Sequence, residues 1–312
     1  MDRGRASQCT VLAVGLVCSL LTAGCRDLAS PEGDRNPAKA KIRVGAVNYP
    51  LAYFARRIGG EQVEVHFSVP ESDDPAFWKP NVDEIGIFQE ADLILLNGAD
   101  FAKWTGHVSL PRSKTVNTTA EVQEKYIQVQ ESIAHQHGPE GEHSHQGLAF
   151  TTWLDFQIAI AQARSVKNAL CDQMPNSVPS FEGRFEDLEE ELNALDEQLA
   201  SVVAGQKNRP LFGSHPVYQY LRQAYGLNLQ ALHWEPREMP DVEAWEAFDK
   251  LLVQHPAKVM LWEASPLPEI QEKLTQKGVI SIVYSPASNT PRDADFLEVM
   301  RQNVARLHKA LE

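Results

Sequence analysis

The chain has 312 residues, 43% of them apolar and 23% charged, enough length and hydrophobic content for two cored domains and too ordinary a mixture for a disordered or fibrous protein. Its net charge of −13 excludes the basic footprint that nucleic-acid binding requires and suits a surface that tolerates cations.

Arg3 and Arg5 open the chain, and residues 11–21 follow as an apolar run too short to span a bilayer. Residues 1–24 therefore read as a secretory signal. The run ends in Leu21-Thr22-Ala23-Gly24-Cys25, which resembles a bacterial lipobox with Cys25 as the lipidated residue; plain secretory cleavage is the other reading. Both give an exported protein, and the first gives a membrane-anchored lipoprotein, periplasmic or at the cell surface. Residues 25–40, polar with two Pro and one Gly, read as a flexible tether. Cys9 and Cys18 leave with the signal and, on the lipobox reading, Cys25 is acylated, so that Cys171 would stand alone with no internal disulfide. It falls on an apolar helix face, the place of a small core residue.

Residues 42–47 predict a strand and 51–58 a helix stopped by Gly59-Gly60. Val63, Val65, Phe67 and Val69 alternate as a strand does. Residues 81–90 predict a helix with Asn81 or Asp83 at its cap, and the unbroken apolar run 92–97 a strand buried on both faces. Residues 114–117 add a fourth strand, the pattern lapses over 132–147, and 154–170 is helical. Phe181, Phe185, Leu188, Leu192, Leu195, Leu199 and Val202 then form an a/d stripe, stopped by Gly205. It is one long helix lying on its own protein, or a short dimeric coiled coil. Strands at 210–213, 227–232, 258–262 and 279–284 alternate with helices at 217–225, 242–254, 267–277 and 293–311. The fold class is α/β: two lobes with mostly parallel sheets, residues 41–176 and 206–312, joined by the helix of 177–205 with a ligand cleft between them.

In such lobes ligands sit beyond the carboxyl ends of the strands. His215 follows one strand directly and points to the cleft. Glu263 follows another, either as a ligand or as a cap for the helix after Pro266. His233 and Glu235 line the same edge or form a polar rim, and Asp74 with Trp78 lies in a loop of the first lobe where Asp-Pro also favours a turn. Trp104, Trp153 and Trp234 are further lining candidates. His135, His137, His143 and His145 crowd a Gly- and Glu-bearing stretch, a pattern suited to weak binding of zinc, copper or nickel when it is not simply a solvated loop. No nucleophile elbow, phosphate loop or dinucleotide fingerprint occurs, which argues against an enzyme.

Several motifs occur in one order: the lipobox; Tyr49-Pro50-Leu51; Ile58-Gly59-Gly60; Asp74-Pro75; Lys79-Pro80-Asn81-Val82-Asp83; Ala91-Asp92-Leu93-Ile94; the His-rich stretch; Trp153-Leu154-Asp155; Ser214-His215; and Asp295-Phe296-Leu297. The series resembles the solute-binding lipoproteins of zinc and manganese ABC importers, a family also grouped with cell adhesion. The resemblance implies a monomer of two α/β lobes on a rigid helix that captures zinc or another divalent transition metal as cargo and passes it to an ABC permease. It places the family's four cleft ligands at positions held here by Ala76, Thr151, His215 and Ser285, so that His215 alone keeps a metal-binding side chain. Glu263 matches an acidic position of the family. Two alternatives stand beside metal delivery: a divergent paralogue with a non-metal cargo, and a metal-buffering or interaction lipoprotein.

Overall fold

The computed structural model describes residues 41–129 and 147–312, together with the backbone of 134–136 and 142–144. The signal, the tether, Cys25, His137 and His145 lie outside the described residues. Strands β1 (Ile42–Ala46), β2 (Val63–His66), β3 (Leu93–Leu96) and β4 (Thr115–Asn117) make one parallel sheet in the order β2-β1-β3-β4. The hairpin-like pairs β5 (Gln128–Val129) with β8 (Gly147–Leu148) and β6 (Ala134–Gln136) with β7 (Glu142–Ser144) are antiparallel. The second parallel sheet comprises β9 (Pro210–Gly213), β10 (Asn228–Ala231), β11 (Val259–Trp262) and β12 (Ile280–Val283) in the order β10-β9-β11-β12. Both sheets thus place their first strand second and their third strand third, the repeated architecture expected from the alternation of elements.

The helices are α1 (Tyr49–Gly59), α2 (Val82–Glu90), α3 (Phe156–Gln173), α4 (Val178–Val203), α5 (Gln219–Tyr225), α6 (Val242–Gln254), α7 (Pro268–Gln276) and α8 (Phe296–Leu311). Their starts follow from side chains that satisfy otherwise orphaned N–H groups. Asn48 accepts from Leu51 N at 3.1 Å with Pro50 in the first turn. Asn81 and Glu84 form a reciprocal capping box, which settles the choice between Asn81 and Asp83. Asp155, Asp241 and Asp295 cap α3, α6 and α8.

Helix α4 packs on α1, α3 and α8. Its buried residues are Phe181, Phe185, Leu188, Leu192, Leu195, Leu199 and Val203. The stripe ends on Val203, with Val202 only half-buried, so its last spacing is four rather than three. A strict heptad would need supercoiling to stay on one face, whereas the drift to Val203 is what a straight helix of 3.6 residues per turn does. The seven residues join the main core of their own chain, which removes the need for a coiled-coil partner to bury them. Each contributes about 1.5–3 kcal/mol by leaving water. That core runs through both sheets. A second cluster of Phe212, Trp234, Trp245, Phe248, Met260 and Trp262 fills the outer face of the second sheet.

Candidate functional site

The loops after β9, β10 and β11 are held side by side by ladder bonds that continue past the strands. Leu232 N donates to Gly213 O at 2.7 Å, Trp234 N to Ser214 O at 2.7 Å and Ser214 N to Leu261 O at 2.8 Å. In the parallel register Gly213 pairs with both Ala231 and Leu261. Two residues further on, the same register sets His215 beside His233 on one flank and Glu263 on the other. The His215 and His233 rings lie 6.0 Å apart at 81°. His215 is buried, and its Nδ1 sits 3.0 Å from Glu235 Oε1. Neighbouring Ser214 is fully buried, and its hydroxyl has no hydrogen-bond partner among the described residues.

Charge concentrates here. Burial pushes the His215 imidazole toward its neutral form, but the Glu235 contact and the charges of Glu263 and Asp74 outweigh it, and the pKa ends above the ordinary value. Burial, opposed by His215 and reinforced by Asp74 and Glu235, pushes the half-buried Glu263 carboxyl up to about 7. Asp74 arrives from the first half of the chain. Its Oδ1 accepts from Ala76 N at 2.9 Å, and its carbonyl accepts from Phe77 N and Trp78 N, which fixes the loop as a tight turn. The structure therefore pairs His215 with Glu235 and sets its ring against that of His233, and the charges of Glu263 and Asp74 act on the same imidazole. Among the described residues, no three His, Cys, Asp or Glu side chains form a group that could hold a metal ion.

The other positions implied by the resemblance have different employment. Ala76 is fully buried. The Thr151 hydroxyl is buried and donates to Val217 O at 2.5 Å. Ser285 shapes a turn: its hydroxyl accepts from Ala287 N at 3.2 Å, and its N–H and carbonyl bond the Asn303 amide at 3.0 and 2.7 Å. The indoles are core groups. Trp78 stands edge-on to Trp104, Trp234 packs on Trp245 and Phe248, and Trp153 donates to Pro286 O at 2.7 Å. Of the His-rich stretch, His135 and His143 are Cα partners across β6 and β7.

Two features escaped the sequence reading. Asn48, Asn97 and Gln162 form a buried amide network, with Asn48 Nδ2 and Gln162 Nε2 donating to Asn97 Oδ1 at 3.1 and 3.0 Å. Next to it, at the carboxyl edge of β3 and β4, a cavity of about 340 Å³ is lined by Asn97, Asp100, Asn117, Gln123 and Tyr126. The sequence signal was positional: Asn48 and the loop from Asn97 to Trp104 each follow a strand, where ligand loops are expected.

Two parallel sheets of one strand order, with a polar cluster where their carboxyl-end loops meet, define a two-lobed binding protein. The chain belongs to the family of the periplasmic zinc-uptake complex component A, whose profile matches residues 44–310. It is 22% identical to the high-affinity zinc uptake system protein ZnuA of Bacillus subtilis, across 96% of this chain and 97% of that one. It is 20% identical to the zinc-binding lipoprotein AdcA of Streptococcus pneumoniae, again across 96% of this chain but only 60% of AdcA. The crystal structure of the metal-dependent lipoprotein YcdH of Bacillus subtilis superposes with a TM-score of 0.74 at 18% identity, covering 86% of this chain and 98% of YcdH.

Proposed function

We propose that this protein is the extracytoplasmic solute-binding component of a metal ABC importer, taking a divalent transition metal, zinc in the first instance, and passing it to a membrane permease. The names of its relatives support zinc, and family membership supports the transport role. The observation that carries the reading is the His215–Glu235 pair. A metal-binding histidine characteristically donates its other ring N–H to a carboxylate, which fixes tautomer and ring orientation. In the neutral imidazole, a proton on Nδ1 facing Glu235 leaves the lone pair on Nε2 for a metal, which displaces the second proton when it binds. Cys25 anchors the protein to a membrane, and the chain works as a monomer. His135, His137, His143 and His145 feed metal to the site. No covalent bond is made or broken: the cargo is held by coordination and handed on to the permease.

Zinc titrated into the purified protein by calorimetry tests this. We expect saturable binding that weakens sharply in His215→Ala and persists, with fewer zinc ions bound, when residues 132–147 are deleted. Wild-type binding no tighter than millimolar overturns the proposal. Binding abolished by the deletion and indifferent to His215→Ala makes the protein a metal buffer instead.

A further inference from the structure

We propose that the cavity at the carboxyl edge of β3 and β4 is a second binding site, for a neutral polyhydroxylated molecule the size of one sugar ring, free or at the end of a glycan. It shares no residue with the His215–Glu235 pair and stands apart from metal capture. Its wall is held in place by the fold. Gly98, Ala99 and Asp100 run consecutively through the left-handed region, with φ of 80°, 48° and 55°. Residues with a side chain enter that region singly and at a cost. Strain of this kind persists where surrounding contacts over-determine it, and it gathers at ligand clamps. Here a Cβ on Gly98 would collide with Thr119 Oγ1, Asn117 Oδ1 and Tyr126 OH, so only glycine lets the loop close onto that polar group.

The polar atoms left over set the chemistry of the ligand. The Thr119 hydroxyl has one proton, and Asn97 O at 2.7 Å and Asn117 Oδ1 at 3.0 Å can only accept it. Tyr126 OH, 2.6 Å away, is therefore the donor to Thr119, and its oxygen keeps the capacity to accept. Asn117 Oδ1 also accepts from Thr119 N at 3.1 Å, which orients the amide and leaves Nδ2 as a donor. Gln123 adds an amide that donates and accepts, and Asp100 a carboxylate that accepts. Hydroxyl groups donate and accept at once, so this mixture matches several of them together. Phe101, Val47 and Leu148 supply apolar wall for the C–H face of a sugar. Among the described residues that line the cavity, none is lysine, arginine or histidine, so an anion finds no counter-charge. A volume of about 340 Å³ is at the small end of the range for small-molecule sites, which fits one sugar ring and not a nucleotide or a peptide.

The test titrates the purified protein with D-glucose, D-galactose, D-mannose and N-acetyl-D-glucosamine, followed by calorimetry and saturation-transfer NMR. We expect at least one of them to bind saturably with a Kd of about 1 mM or tighter. Glucose 6-phosphate should bind about tenfold more weakly than glucose. Asp100→Asn, Gln123→Ala and Asn117→Asp should each weaken the sugar about threefold to tenfold. Asparagine tolerates the left-handed backbone at position 100, and aspartate at 117 keeps the acceptor for Thr119 while removing the Nδ2 donor. Melting temperatures equal to the wild type's separate these losses from misfolding. Zinc titrations of the three variants should superimpose on the wild type's, and His215→Ala should bind sugar normally. Maltotriose and chitotriose separate the two sources: affinity equal to the single sugar marks a glycan end, exclusion marks a free sugar, and both support the site. No saturable binding of any of the four sugars, or binding indifferent to all three variants, overturns the proposal whatever the zinc result. Glucose 6-phosphate binding as tightly as glucose overturns the neutral class, and zinc binding lost together with the sugar overturns the separateness of the site.

Discussion

At Trp153 one side chain joins the two halves of the molecule. Its ring is fully buried against Phe101 at 5.5 Å, and its Nε1 donates to Pro286 O. Trp153→Phe keeps an aromatic ring but leaves that carbonyl without its donor, at a cost of about 1–3 kcal/mol. Denaturant unfolding should show a lower midpoint with an unchanged slope. Asp92 gives a pH test away from the site. The backbone N–H of Arg43 at 2.9 Å, then its guanidinium, holds the Asp92 carboxyl below the usual carboxylate range of 3.8. A lowered folded-state pKa means stability present above the unfolded value and lost as pH falls through the folded one. Asp92→Asn should therefore lower Tm by about 2 °C or less at pH 7, with the gap closing as the pH falls through the lowered folded-state pKa. The candidate site was only partly legible at this scale. His215 could be placed because it directly follows a strand. The role of Glu235 depends on a side-chain pairing between loops of different strands, which no local pattern in the sequence encodes. Nor could the sequence say that Thr151 and Ser285 would be engaged by Val217 and Ala287.

At the scale of elements, α4 is the clearest case of sequence dictating structure. Its stripe is long and periodic, and the structure departs from it only at the final turn. Leu192→Ala, at a fully buried position, should cost about 2–5 kcal/mol, while Glu190→Ala on the solvent face should stay within about 0.5 kcal/mol. Comparison of their denaturation midpoints checks both. The strands were legible in place but not in length. Apolar residues 63–69 suggested one long strand, yet pairing with β1 stops at His66, opposite Gly45. The helix expected from residue 217 begins at Gln219, since Val217 N bonds His215 O and Val217 O receives the Thr151 hydroxyl. Hydrophobic pattern locates an element, while its end depends on which neighbours remain to be bonded.

At the scale of the whole molecule, bonds between the halves border the candidate site. Tyr49 N donates to Ser288 O at 2.9 Å, and Asn289 Nδ2 to Pro70 O and Asp73 O at 2.7 and 3.0 Å. Trp153 to Pro286, Thr151 to Val217, and Tyr220 OH to Ala149 O at 3.1 Å complete the seam. Alongside it Glu191 of α4 bridges Arg57 of α1 at 2.5 Å and Arg301 of α8 at 2.8 Å. Where a cleft is held open by solvent, a cargo ion must supply the free energy of closure through its ligands. Here polypeptide contacts already hold the halves together, two of them made by the loops that carry Asp74 and Ser285. Metal binding then has little closure left to drive. Small-angle scattering should give the same radius of gyration, about 19 Å for a body of this size, with and without metal. The double variant Trp153→Phe/Asn289→Ala removes two of the clamps, and in it metal should shrink the metal-free protein measurably. A wild type that contracts on loading would mean that the cargo, and not the seam, closes the molecule.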